Sequence, residues 1–249
     1  MGEEFSQAVP EDSFGRVRRE MYRYMGYGRS LPEPEVEAEA GRCLSELLTE
    51  TDPKTVWRRF PLELPGEDRI CIAGMEISSK ALRRNLEGCR EVFLMAATLG
   101  LSPDRMTARA QAAGKMSRAV MLQAAAAALI EEVCDRLNEE LRQMAAEEGK
   151  VLRPRFSPGY GDFSLEHQKE LFRILEVQKR IGVTLTEHLL MMPSKSVTAV
   201  IGIADAEAQK SGLQSASEAC TGSGCGACDK KDCSFRRYPA AEMQERSHQ

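Results

Sequence analysis

The sequence predicts an α+β fold, and three observations carry that reading. Residues 115–148 hold one long helical pattern, in which Met116, Ala119, Ala126, Ile130, Val133, Leu137, Leu141 and Met144 keep the three-four spacing of a buried face. Short apolar runs at 69–77, 91–99, 183–192 and 197–203 read as strands. These strands are not interleaved with helices as repeated strand-helix-strand units, which argues against a doubly wound sheet.

Taken in order, Ser13 is placed to cap a helix reaching about Gly26, and residues 33–50 read as a second helix with Leu44, Leu47 and Leu48 on one face. Pro53 opens a short segment with the single tryptophan, Trp57, expected in the core. A helix over 79–86 separates the first two predicted strands. Ser102-Pro103 reads as a helix start, a capping hydroxyl followed by proline at the first position. Within the long helix, the run Ala124–Ala128 forms helix strongly and lets another element pack closely. Gly149 ends that helix. Beyond it come a short strand over 151–156, a helix near 165–180, and the last two strands. Cys43, Cys71, Cys89 and Cys134 fall on apolar faces and read as core.

Composition narrows the function. A chain of 249 residues that is 42% hydrophobic buries a sizeable core. A formal net charge of −4 argues against nucleic acid as the main partner. No apolar run approaches the roughly twenty residues that span a bilayer, so no membrane partner is expected. Residues 1–13 are acidic without a hydrophobic signal core, and are expected to be a flexible N-terminus on a cytoplasmic protein. There is no Gly-x-Ser-x-Gly, no His-Glu-x-x-His and no paired nucleophile and base, so no catalytic residue is assigned. His167 and His188 read as ordinary loop and strand-edge residues.

The most informative stretch is residues 155–163, Arg-Phe-Ser-Pro-Gly-Tyr-Gly-Asp-Phe. Pro158, Gly159 and Gly161 force a tight turn after a strand, beside the guanidinium of Arg155 and the ring of Tyr160. Arginine's planar fork suits a carboxylate, and tyrosine offers a flat face with a hydroxyl. The pattern fits a pocket for a zwitterionic small molecule with a flat ring, and fits a plain surface turn as well. On the long helix, Glu131, Asp135 and Asn138 share one face by four-then-three spacing, where a carboxylate could meet a cation.

The C-terminal region is the second feature. Residues 205–218 are small and polar, a linker by composition. Cys220, Cys225, Cys228 and Cys233 follow as C-x4-C-x2-C-x4-C, half of the eight cysteines. Such density in a cytoplasmic protein points to metal, and four thiolates suit tetrahedral zinc or a [4Fe-4S] cluster, with free or redox-active thiols as the third reading. Gly222-x-Gly224-x-x-Ala227 matches a dinucleotide fingerprint only in spacing and follows no strand, so it is set aside.

Several fragments in sequence resemble the activation domain of cobalamin-dependent methionine synthase. They are Arg155-x-x-Pro158-Gly159-Tyr160, Glu166-His167, Leu185-Thr186-Glu187 and Met192-x-x-x-Ser196-Val197. The form Pro193-Ser194-Lys195-Ser196-Val197 is similar to short, free-standing proteins of that kind, as are Arg23-Tyr24-Met25-Gly26-Tyr27 and Arg59-Phe60-Pro61-Leu62. The resemblance spans roughly residues 14–204, leaving 205–249 as linker and cysteine-rich tail.

The resemblance implies a mostly antiparallel twisted sheet with several helices including one long one. It implies S-adenosylmethionine bound by Arg155, Pro158, Gly159 and Tyr160, with an acid near the sulfonium: Glu131, or Glu132 if the alignment slips. It implies a turn at Met192, Lys195 and Ser196, with Lys195 exposed, facing cobalamin on a separate methionine synthase chain. The reaction would be reductive methylation, with an electron donor as a further partner. An acid early in the domain and an aromatic pair beyond the last strand, both present in the large synthase, have no counterpart in this sequence. Two alternatives stay open: a metal-bearing electron-transfer or interaction protein, and an activator of another corrinoid methyltransferase.

Overall fold

The structure, a computed structural model, describes residues 3–6, 13–28 and 30–206. The cysteine-rich tail, including Cys220, Cys225, Cys228 and Cys233, lies outside the described residues.

One sheet organises the chain. Strand β1 (Glu3–Ser6) pairs with β2 (Lys54–Glu63), and the main path runs β4 (Met75–Ser78), β3 (Arg69–Ile72), β2, β5 (Cys89–Thr98), β9 (Ser196–Asp205), β6 (Lys150–Leu152). Every pairing is antiparallel. A separate hairpin joins β7 (Thr184–Leu185) to β8 (Met191–Met192). The α+β class and the antiparallel sheet therefore stand.

Both faces of the sheet are covered. On one side lie α1 (Phe14–Tyr24), α2 (Pro34–Glu50), α4 (Ser102–Ala112) and α5 (Met116–Glu147), packed on Trp57, Phe93, Met95, Ala199 and Ile201. On the other, α3 (Lys80–Asn85), α6 (Gln168–Leu175) and α7 (Val177–Ile181) join the β3–β4 hairpin over Val56, Val92, Leu94 and Val200. Alternate residues of β5 thus enter different cores, which is why Val92–Ala97 is a continuous apolar run rather than an alternating one. Trp57 and Phe93 meet edge to face at 5.3 Å in the first core.

Several local expectations need correction. The Trp57 segment is a ten-residue strand, β2, not a short piece. The predicted strand over 69–77 is a hairpin, because Ala73 and Gly74 both take positive φ (52° and 79°), the backbone of a two-residue turn between antiparallel strands. The predicted strand over 183–192 is likewise a hairpin, reversed where Thr186 and Leu190 bond to each other through their backbones. The helix near 165–180 is divided at Glu176, whose φ is 52°. Ser102 lies inside α4, and Leu101 holds the cap position. Ser13 sits at the α1 cap, but its hydroxyl accepts no helical amide there. Met116 and Met144, at the ends of the predicted stripe, are exposed while the residues between them are buried. The strand beginning at Lys150 stops at Leu152 before Pro154, which has no amide to donate, and Phe156 pairs again with Val200.

Gly202 on β9 shows how tightly the second core closes. A Cβ there would lie 2.6 Å from Cys89 Sγ and 2.8 Å from Leu86 Cδ2. Gly202→Ala should therefore destabilise the fold by about 1–3 kcal/mol, read as a lower denaturation midpoint with an unchanged slope; a midpoint equal to wild type would refute the contact.

Candidate functional site

Arg155 gains its position from the strand pattern around it. Phe156 exchanges both backbone hydrogen bonds with Val200, each 2.9 Å, and its ring packs with the second core. Arg155, the preceding residue, turns to the opposite face and reaches α5. There its Nη2 donates to Glu131 Oε2 at 3.1 Å and contacts Asp135 Oδ1 at 2.8 Å. The two acids stand one helical turn apart, so one guanidinium nitrogen bridges both. Among the described residues, no acceptor is bonded to the other guanidinium nitrogens.

The electrostatics follow from that arrangement. Burial disfavours the charge of Arg155, but its neighbours Cys134, Asp135 and Glu131 outweigh burial and raise its pKa above the usual range. Cys134 lies fully buried beneath the cluster, and burial pushes its thiol up to about 12. One cation thus faces two anions, leaving the cluster net negative. Next along the same helix, the buried Asn138 Oδ1 has no hydrogen-bond partner among the described residues. Glu132, the other candidate acid, points elsewhere: it is buried and takes a 2.6 Å hydrogen bond from Arg16 of α1.

The glycine turn is anchored from below. Pro158 is buried, Gly159 and Gly161 take φ of +94° and +55°, and Tyr160 is 67% exposed. A Cβ on Gly161 would lie 3.0 Å from Ala81 Cβ, so the turn presses against α3. Asp162 then binds the start of that helix. Its Oδ1 accepts from Ser79 Oγ at 2.5 Å and from the Ala81 amide at 3.1 Å, and its Oδ2 accepts from the Lys80 amide at 2.8 Å. Phe163 is buried and stacks on His167, which bonds Glu170. Sequence reasoning missed Asp162, because its partner Ser79 lies far away in the chain.

The turn expected to face a partner is placed unevenly. Met192 is exposed. Lys195 is half-buried rather than exposed, and burial lowers its pKa against the opposing pull of Asp104. Ser196 is buried, bonded to Thr98 Oγ1 and the Pro193 carbonyl at 2.8 Å each, because its side chain points into the β5–β9 ladder. Beside Lys195 runs a groove of about 320 Å³ lined by Tyr24, Met116, Val120, Gln123 and Ala127. Ala127 stands one turn before Glu131, so α5 carries both the groove and the Arg155 cluster.

No group of three or more His, Cys, Asp or Glu side chains among the described residues could hold a metal. No described helix is long and apolar enough to cross a membrane.

A family described as the vitamin B12 dependent methionine synthase, activation domain, matches residues 83–215. A crystal structure of the MetH reactivation domain bound to AdoHcy superposes with a TM-score of 0.57 at 18% identity, covering 81% of this chain and 78% of that one. No curated protein matches.

The Asp162 contacts give a pH prediction. Bonds from Ser79 and the Ala81 and Lys80 amides lower the Asp162 pKa below the ordinary carboxylate value. A depressed folded-state pKa means the anchor is present above the unfolded value and is lost as pH falls through the folded one. Protection of the Lys80 and Ala81 amides, their exchange rate divided into the intrinsic rate at the same pH, should therefore be high near neutrality and fall in acid. Asp162→Asn should show the low protection at every pH, whereas wild-type protection in that variant would show the anchor lies elsewhere.

Proposed function

The chain belongs to the family of vitamin B12 dependent methionine synthase activation domains, and we propose that it binds S-adenosylmethionine and supports reductive methylation of cobalamin carried by a separate methionine synthase chain. The observation that carries this reading is the Arg155 cluster. S-adenosylmethionine bears one carboxylate and two positive groups, its ammonium and its sulfonium. Arg155 offers fork donors for the carboxylate. The surplus acid of Glu131 and Asp135 suits the cations, and Tyr160 offers its exposed ring to the adenine, with Pro158 and Gly159 shaping the turn.

S-adenosylmethionine, when bound, would supply an electrophilic methyl group to the partner's cobalamin, with S-adenosylhomocysteine as the leaving group and one electron from an external donor. This chain's share is to hold the methionine end at Arg155, to neutralise the cationic end, and to present one open side to the partner. Domain limits of 14–204 for the binding unit and 205–249 for linker and tail accompany the proposal. Met192 and Lys195, with the groove along α5, form its docking side; Ser196 supports that turn from within rather than touching the partner.

Glu131→Gln gives the sharpest test, because it removes one charge and keeps the shape. It should weaken S-adenosylmethionine about fivefold, solvent screening included, and leave S-adenosylhomocysteine, which has no sulfonium charge, nearly unchanged. Arg155→Ala should weaken both by roughly 1.5–3 kcal/mol, and Arg155→Lys should restore part of that. Calorimetry in which wild type binds neither compound would refute the reading.

The cysteines at 220, 225, 228 and 233 belong to the proposal as a metal-holding tail. Thiolate-held iron–sulfur clusters carry one-electron chemistry and zinc carries none, so the metal decides whether the tail relays electrons or only shapes a contact. Anaerobically purified protein should be brown with about four iron atoms per chain, and Cys225→Ser with Cys228→Ser should bleach it without changing S-adenosylmethionine affinity. Colourless protein with one zinc would make the tail a structural knuckle.

A further inference from the structure

A second, larger concavity lies away from Arg155, between α2, α4 and α5. It measures about 770 Å³, within the range of small-molecule sites. Met106, Ala110, Ala113 and Leu122 supply the apolar part of a mixed lining, Ala110 and Leu122 being buried. Its rim carries Arg105, Arg109 and Lys115, all exposed. Arg105 and Arg109 stand one turn apart on α4, where like charges repel and destabilise the helix. None of the three forms an ion pair with an acid among the described residues.

The acids nearby do not cancel this charge. Glu46 is already engaged by Arg118, which also binds Glu39. Asp104, in the first turn of α4, is committed to the Ser194 amide at 2.8 Å and to its hydroxyl. Glu50 is the one remaining acid on the cleft, so the rim keeps a positive surplus. Three cations beside a mixed polar and apolar lining match a ligand with phosphate at one end and a partly apolar body at the other. Arginine forks bind phosphate oxygens bidentately, and lysine adds a point charge. The volume of the cleft, within the range of small-molecule sites, accommodates a molecule of nucleotide size.

We infer that this cleft binds a phosphate-bearing small molecule of nucleotide size, at a site separate from the Arg155 cluster. Calorimetry on the full chain tests it with ADP, inorganic pyrophosphate and adenosine as probes. ADP and pyrophosphate should each bind saturably at one site, more weakly at high salt, and adenosine should not. Excess S-adenosylmethionine should not displace ADP. Arg105→Glu with Arg109→Glu should weaken ADP at least about tenfold while thermal unfolding stays that of wild type; Lys115→Ala, a milder change, should weaken it by less. Absence of saturable binding by both phosphate probes would overturn the inference. So would affinity indifferent to the charge reversal, displacement of ADP by S-adenosylmethionine, or binding confined to a polyanion such as polyglutamate. Loss of S-adenosylmethionine binding in wild type would leave this result standing, since the two titrations read different sites.

Discussion

The close approach of α5 to the two central strands is the constraint from which the rest of the molecule follows. Ala125, Ala126 and Ala128 are at most 1% exposed, and the bulk that fills the interface comes from Phe93, Met95, Ile201 and Ile203 on the strands. Small side chains on the helix and large ones on the sheet let the helix axis lie near the backbone of β5 and β9. That proximity brings Glu131 and Asp135, one or two turns past the alanines, within reach of an arginine rising from the sheet edge. Larger residues at the alanine positions would lift the helix and separate these charges without touching any of them. The site is thus a product of packing before it is a product of electrostatics.

Covering both faces of an antiparallel sheet has a cost in legibility. A strand with one wet face alternates apolar and polar residues, whereas Val92–Ala97 and Ala199–Ala204 are apolar throughout. Such runs were readable as strands because they are short and flanked by turns. The Trp57 strand was not, since Arg58, Arg59 and Pro61 break its pattern: Arg58 donates to the Ile174 carbonyl and Arg59 to Glu91 and Glu148. Two hairpins were read as single strands because positive φ fell at Leu189 and at Ala73, residue types that do not announce it, and Gly74 was the one turn signal within its run.

The site was legible in proportion to how local its determinants are. Arg155 and the Pro-Gly-Tyr-Gly turn lie within a few residues of one another, and helical phase alone put Glu131, Asp135 and Asn138 on one face. That Glu131 meets Arg155 while Glu132 meets Arg16 needed tertiary structure, since adjacent residues differ by about 100° around a helix and only the folded chain shows which faces the sheet edge and which faces α1. Asp162 was invisible for a related reason. Its role is to hold the first turn of a helix from another part of the chain, and nothing beside it in sequence marks that helix. Lys195 and Ser196 show the converse: they are local to a recognisable turn, yet pairing of β9 with β5 draws Ser196 inward and leaves Lys195 half-covered.

The Arg155 cluster is better understood as preorganisation than as stabilisation. Desolvating an arginine and two acids costs free energy that their attraction offsets only in part, and apolar substitutes often hold a fold as well. Two carboxylates also exceed what one guanidinium needs. In exchange, contact through Nη2 alone fixes the plane of the fork while sparing its other donors. A ligand carboxylate can then add to the guanidinium without displacing either acid, and the excess negative charge is met by whatever positive group accompanies that carboxylate. A ligand with only one of the two features would leave either the arginine underused or an acid uncompensated in a partly dry site. Under the proposed function, this geometry suits molecules carrying an anion and cations a few bonds apart, and its charges are in place before such a ligand arrives.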